Sequence, residues 1–265
     1  MRIVVPIKQV PETRSVKMDE KTGTVIRDGV ESIVNPLDLY AIEAALIVKE
    51  RFGGETVVLS MGPPQAATAL KEAMAMGMDE AVLVSDRAFA GSDTWATAYV
   101  LAEAVKKVGE FDLIICGERA TDGDTGQVGP EMAAYLDLPV ATYVNGINDF
   151  SDEKLTITRL VEHGEEIVSM QLPGLLTVVK EVSDPRLPTL DGKIKARETE
   201  LPVLTFDDLE LEVSDLGLKG SPTRVVKIFR PKVARECEMT TAEEEADIIV
   251  AAEKICQFLR EREVI

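Results

Sequence analysis

"DLIICGERATDGDTGQVGPEMAAYLDL", residues 112–138, decides the fold. It opens on an apolar run, "DLIICG", and closes on a helical run, "PEMAAYLDL". Between them stand Gly117, Gly123, Gly126 and Gly129, with Asp122, Asp124 and Thr125, and no Lys or Arg follows Arg119. A buried strand that runs through a glycine-rich polar loop into a helix is a unit of a parallel sheet. Glycines there let backbone N–H groups approach a ligand, and the helix N-terminus adds partial positive charge.

The same alternation extends outward in both directions. "RIVVPI" (2–7), "ETVVLSMG" (55–62) and "EAVLVSD" (80–86) read as buried strands. "NPLDLYAIEAALIVKERFG" (35–53), "PQAATALKEAMAMG" (64–77) and "TWATAYVLAEAVKKVG" (94–109) read as helices. Asn35 or Asp38 is expected to cap the first helix, along which Leu39, Ile42, Leu46 and Ile47 form an apolar stripe. Met74, Met76 and Met78 are expected as core fillers at a helix end. "VKMD" and "TVIRD" (16–19 and 24–28) suggest a hairpin, and "ATYV" (141–144) a short strand. The expected fold is α/β: a doubly wound, mostly parallel, Rossmann-like sheet with helices on both faces.

Beyond residue 150 the pattern changes. "KLTITRLVEHGEEIVSMQLPGLLTVV" (154–179) reads as antiparallel strands that extend the sheet around a charged turn holding His163. Residues 180–203 show little periodicity and read as an exposed, partly mobile arm. "SPTRVVKIFRPK" (221–232) reads as loop with one short strand. "TTAEEEADIIVAAEKICQFLRERE" (240–263) reads as a terminal amphipathic helix capped by Thr240 or Thr241. The expected division is 1–182 for a nucleotide-binding domain and 183–265 for a docking arm and C-terminal segment.

The totals exclude several functions. The chain has 265 residues, 45% of them hydrophobic, enough for a substantial core. A formal net charge of −18 makes nucleic acid a poor partner. The apolar stretches are strand-length, so membrane insertion is not expected. Cys116, Cys237 and Cys256 lie far apart without a CxxC, which suggests a reducing cytoplasm and no zinc site. A single histidine, His163, makes a Ser-His-Asp triad or a multi-His metal centre a weak reading. The expectation is therefore no catalytic acid–base residue and no metal ligand in this chain.

Three loops follow the carboxyl ends of expected strands: "PIKQVPE" (6–12), "SMGPP" (60–64) and the loop at 117–127. In a doubly wound sheet such loops converge on one crevice. Backbone amides with Ser60, Thr125 and Gln127 suit a phosphate, while Asp122 and Asp124 suit ribose hydroxyls or bracing of the loop. A plain turn followed by a helix cap remains the alternative.

Seven segments, in order along nearly the whole chain, carry a resemblance. They are "VPIKQVPET" (5–13), "VNPLDLYAIEAAL" (34–46), "LSMGPPQA" (59–66), "AMAMGMDEAVLV" (73–84), "ICGERATDGDTGQVGP" (115–130), "LPGLLTVV" (172–179) and "DPRLPTLDGKIKA" (184–196). The chain resembles the β subunit of an electron transfer flavoprotein. The resemblance implies an obligate heterodimer with an α subunit, exchanging electrons with an acyl-CoA-dehydrogenase-like or related flavin dehydrogenase. It implies redox catalysis only within that complex. In the common branch of the family the β subunit holds AMP, and in the electron-bifurcating branch it holds a second FAD. The compact "DGDTGQVGP" resembles the second branch, so FAD is expected, with AMP as the alternative. In that branch NADH is the donor, and ferredoxin or flavodoxin is one of two acceptors. An adenine-nucleotide sensor of related fold, with no redox role, is the alternative from another class; an adenylate-forming enzyme would want an SGGxDS loop that is absent here.

By matching position, the resemblance puts Pro6, Ile7, Lys8, Asn35, Asp38, Met61 and Gly62 at the nucleotide. The main contribution comes from Ala120, Thr121, Asp122, Gly123, Asp124, Thr125, Gly126, Gln127 and Val128. Lys8 is the one cation in the three loops other than Arg119; a salt bridge to Glu12 or Asp38 is its plainer reading. A positive group near a flavin stabilises its anionic reduced form. The segment 184–198 resembles the family's docking loop for a dehydrogenase, with Leu190 as apolar anchor between Lys193, Lys195 and Arg197.

Overall fold

Short β-branched runs followed by helical runs produce the expected alternation. The computed structural model describes residues 1–12, 17–18, 25–26, 32–151, 153–226 and 239–263. Within them the strands are β1 (Arg2–Pro6), β2 (Gln9–Pro11), β3 (Lys17–Met18), β4 (Val25–Ile26), β5 (Ser32–Val34), β6 (Glu55–Met61), β7 (Glu80–Val84), β8 (Leu113–Gly117), β9 (Val140–Ser151), β10 (Lys154–Val161), β11 (Gly164–Gln171), β12 (Gly174–Val178) and β13 (Val203–Leu204). The helices are α1 (Asp38–Phe52), α2 (Ala67–Met76), α3 (Thr94–Val108), α4 (Val128–Tyr135), α5 (Leu190–Glu198), α6 (Gly217–Gly220) and α7 (Glu245–Glu261).

The main sheet runs β11-β10-β9-β12-β8-β1-β6-β7-β13. From β9 to β13 every neighbouring pair is parallel. β10 and β11 add the antiparallel extension, with His163 in the turn between them. The antiparallel reading fails at β12. This strand pairs parallel with both β8 and β9 and sits inside the sheet. All five of its residues are buried, the burial of a strand covered on both faces. β9 also runs well past the four residues expected.

The chain grows from β1 through β6 to β7, then crosses to β8 on the other side of β1. Strand order therefore reverses between β1 and β8, where a doubly wound sheet opens its ligand crevice. α1 and α2 cover one face with Ile42, Leu46, Leu70 and Met74. α3 and α4 cover the other with Leu101, Val105 and Met132. Met74, Met76 and Met78 are buried, as expected of core fillers. The short pairing of β3 with β4 is the expected hairpin.

The chain divides into two compact units, Met1–Lys227 and Ile228–Ile265. The boundary expected after residue 182 falls inside the first unit. Three anchors bind the segment beyond it. Arg186 pairs with Glu43 and Glu50 of α1. α5 packs on α2, with Thr189 N–H donating to the Ala75 carbonyl and Ala196 buried. β13 pairs with β7. Residues 180–203 are thus tied to the sheet unit at these points, and most of them are exposed, as expected. In the second unit, α7 is capped by Glu244 in a reciprocal box with Asp247, not by Thr240 or Thr241. Residues 221–226 form no strand, and the rest of the strand expected in 221–232 lies outside the described residues.

Candidate functional site

The carboxyl ends of β8, β1 and β6 lie side by side. The loop after β8 crosses the first of these and enters α4. Its shape comes from Asp124 (φ 54°) and Gly126 (φ 65°), both in the left-handed region, and from the Asp124 N–H donating to the Ala120 carbonyl at 2.8 Å. Gly126 meets that conformation at no steric cost; an aspartate tolerates it because a short polar side chain can be held locally.

Asn35 is fully buried and fixes the start of this loop with both ends of its amide. Its Nδ2 donates to the Arg119 carbonyl at 2.9 Å, and its Oδ1 accepts from the Thr121 N–H at 3.1 Å. Asp38, also buried, accepts the Lys8 N–H at 2.7 Å. The capping expected of these two residues does not occur: Leu37 stands at the N-cap of α1 with no side-chain bond to the helix. Their polar atoms bond the Arg119 carbonyl, the Thr121 N–H and the Lys8 N–H instead.

Lys8 pairs neither with Glu12 nor with Asp38 through its ammonium. Nζ reaches Asp122 Oδ1 at 2.7 Å. Arg119 Nε reaches Asp124 Oδ1 at 2.7 Å and its Nη1 reaches Glu118 at 2.8 Å. Both loop aspartates are thus braces. The Lys8–Asp122 and Arg119–Asp124 pairs are partly to largely solvent-exposed, so each is worth at most about 1 kcal/mol. An entering phosphate can draw Lys8 from Asp122 at little cost. Arg119 as a brace was not read from the sequence; its spacing to Asp124 was the available signal.

Burial pushes the Asp38 carboxyl up to about 7, with the Asp122 charge adding to it and Lys8 and Asn35 opposing. Beneath the loop, Cys116 is buried beside Gly129 and Asp38, and burial pushes its thiol far up, so it stays protonated.

The other expected residues fall around this centre. Pro6 ends β1, Ile7 follows it, and the Ile7 N–H donates to the Leu59 carbonyl. Thr121 through Gln127 are exposed, Ala120 and Val128 half-buried. No hydrogen bond between described residues ties Met61 or Gly62 into the Asn35–Lys8–Asp122 network: Met61 packs into the core and Gly62 N–H donates to Val84 of β7. Ser60 is enclosed, and its hydroxyl has no partner among the described residues. Leu190, Lys193, Lys195 and Arg197 lie on α5, with Leu190 75% exposed.

Two features fit an adenine-nucleotide group at this loop. Space is open where a Cβ on Gly123 would stand. α4 begins at Gln127 with no side-chain cap, leaving its first amides for another acceptor. An open groove of about 1000 Å³ lies at the amino ends of the strands, around Met1, Arg2, Gly54, Glu110 and Asp112. There Arg2 is already held by Glu55 and Glu80. Among the described residues, no helix is long and apolar enough to cross a membrane.

The electron transfer flavoprotein domain matches residues 22–209. The chain is 47% identical over 266 residues to the electron transfer flavoprotein subunit beta of Thermoanaerobacterium thermosaccharolyticum, covering 100% of both chains. It is equally similar, at 47% and with the same coverage, to the caffeyl-CoA reductase-Etf complex subunit CarD of Acetobacterium woodii. Protein FixA of Azotobacter vinelandii is 43% identical, over 88% of this chain and 85% of its own length.

Proposed function

This chain belongs to the electron transfer flavoprotein family, as a β subunit that pairs with an α subunit, and from that premise we propose that it holds an FAD in the crevice at the ends of β1 and β8 and serves an electron-bifurcating heterodimer. The observation that carries the reading is the loop itself. Asn35 fixes its start and takes up the Thr121 N–H, the Asp124 N–H closes onto Ala120, and the remaining exposed residues up to Gln127 have amides with no partner among the described residues. The compact "DGDTGQVGP" of residues 122–130, which resembles the bifurcating branch, supports FAD over AMP.

When bound, the FAD supplies hydride acceptance from NADH and release of single electrons to two acceptors, ferredoxin or flavodoxin and an acyl-CoA-dehydrogenase-like partner reached through the α subunit. The chain's own residues bind and orient. The amides of Gly123 and of 125–128, at the start of α4, receive the pyrophosphate. Lys8 exchanges Asp122 for a phosphate oxygen. Asn35 keeps Arg119 and Thr121 in place, and Asp38 holds Lys8 by its backbone. Asp122 and Asp124 remain at the rim, where they accept from ribose hydroxyls. α5 presents Leu190, with Lys193, Lys195 and Arg197 around it, as the dehydrogenase docking point. The relative named as a subunit of a CoA-ester reductase complex supports a partner of that class. These steps belong in the cytoplasm, where NADH and ferredoxin meet.

The test is an anaerobic assay of the co-purified heterodimer with NADH, ferredoxin and a cognate flavin dehydrogenase with its CoA-ester acceptor. Ferredoxin reduction that requires the acceptor supports the reading. Electron flow to the dehydrogenase with no ferredoxin reduction under any condition overturns bifurcation and leaves a simple shuttle holding AMP.

A further inference from the structure

Asp38 is a buried acid with an unusual set of neighbours. Oδ2 accepts the Lys8 N–H, while the Lys8 ammonium is committed to Asp122. The charged and titratable groups facing the carboxyl are Lys8 after β1, Asp122 in the loop after β8, and the Cys116 thiol of β8; the neutral Asn35 amide is the remaining polar neighbour. Oδ1 is turned to Gly117, where even a methyl group would come within 2.4 Å. The carboxyl therefore has no ion-pair partner of its own among the described residues, and its Oδ1 lies close against Gly117. A buried charge so placed survives only while something nearby compensates it.

We infer that Asp38 is a proton-holding positioning residue, and that a pyrophosphate entering the loop after β8 is accompanied by uptake of one proton from solvent onto the Asp38 carboxylate. The inference rests on the reading that this loop holds an adenine dinucleotide. The arriving anion acts twice: it adds negative charge near Asp38 and it draws the Lys8 ammonium, the one compensating cation, toward itself. Both effects favour the neutral acid. Neutral Asp38 still accepts the Lys8 N–H through Oδ2 and carries the proton on Oδ1, so the loop geometry is kept while the repulsion is removed. Burial already places the titration of the free site near neutrality, within reach of such a ligand. Because ligand and proton favour each other, affinity must fall as pH rises through the free-site value and level off once it passes that of the bound site.

The experiment uses the full heterodimer freed of its β-site nucleotide, titrated with FAD from pH 6 to 8.5. The pyrophosphate of FAD does not itself titrate in that range. The wild type should lose affinity above pH 7 by up to tenfold per pH unit, the limit for one linked proton. Asp38→Asn should bind at pH 8.5 about as tightly as the wild type at pH 6, with no slope. Calorimetry of the wild type at pH 7.5, in two buffers of different ionisation enthalpy, should show proton uptake on binding. A flat wild-type profile, or the same slope in Asp38→Asn, would overturn the inference. Should the variant fail to assemble, absence of buffer dependence in the wild type overturns it alone. Failure of FAD to bind at any pH would instead overturn the dinucleotide reading, and this inference with it.

Discussion

Gly117 shows how closely this crevice is built. A Cβ there would lie 2.4 Å from Asp38 Oδ1 and 2.9 Å from the Leu37 carbonyl, so the end of β8 can pass the start of α1 only as glycine. Gly117→Ala is therefore expected to cost about 1–3 kcal/mol in urea denaturation, the range for forcing a methyl into a filled site, and to lower nucleotide occupancy. Gly123 is the control. Nothing lies within 4 Å of its added Cβ, so Gly123→Ala should change stability by less than about 0.5 kcal/mol. Equal losses in the two variants would show that Gly117 is not under this constraint. Asp38 has a second consequence at this scale. Its carboxyl titrates at about 7 when folded and at the ordinary 3.8 when unfolded. Folding then binds a proton between those values, so the contribution of Asp38 is greatest below about pH 4 and is lost as pH rises to 7. Asp38→Asn should gain on the wild type from pH 4 to 7 and keep a constant lead above, at most about 4 kcal/mol. A lead independent of pH would contradict a buried, raised Asp38. The sequence pointed to Asn35 and Asp38 together but left open whether they cap a helix or serve a ligand. Both have short polar side chains suited to either role, and only the fold, by bringing Arg119 and Thr121 over Asn35, shows that Asn35 braces the loop after β8 and does not cap α1.

Elements were legible where local period and local burial agree. β1, β6, β7 and β8 and helices α1, α2 and α3 follow from runs of apolar residues punctuated by Gly and Pro, and β1, β6 and β7 lie side by side in the sheet in that order. β12 was misplaced because its partners, β8 and β9, are set by topology. Its continuous apolar run, "GLLTV", carried the mark of a strand buried on both faces, and the alternating β10 and β11 before it masked that signal. α5 was missed for a different reason. Its own sequence, "LDGKIKARE", has no apolar stripe; a Thr189 cap and contact with α2 make it a helix. What holds this segment is Arg186. Its Nε and Nη2 lie 2.8–3.1 Å from the Glu43 carboxylate, which is buried, and its Nη1 reaches Glu50. Arg186→Ala would leave Glu43 as an uncompensated buried charge, at a cost of about 3 kcal/mol or more. It should also open residues 183–189 to proteolysis faster than it unfolds the sheet. Protease resistance equal to the wild type would mean that α5 alone anchors the segment.

For the whole molecule, the two compact units differ in kind. The first has a nine-stranded sheet and a core on each face. The second contains α7, none of whose side chains is buried among the described residues, with Ile248, Ile249, Ile255 and Phe258 more than half exposed. A helix so apolar is stable only against a partner surface, and the α subunit of the heterodimer is the partner the family supplies. Phe258→Asp should then weaken the heterodimer and leave the sheet unit's melting unchanged, as read by size-exclusion chromatography and thermal unfolding. An unaffected heterodimer would show that α7 has another role. The central claim, that the crevice between β1 and β8 holds FAD, is tested most directly by denaturing the purified heterodimer and counting released nucleotides. Two FAD and no AMP per heterodimer is the predicted result. One FAD with one AMP would contradict it.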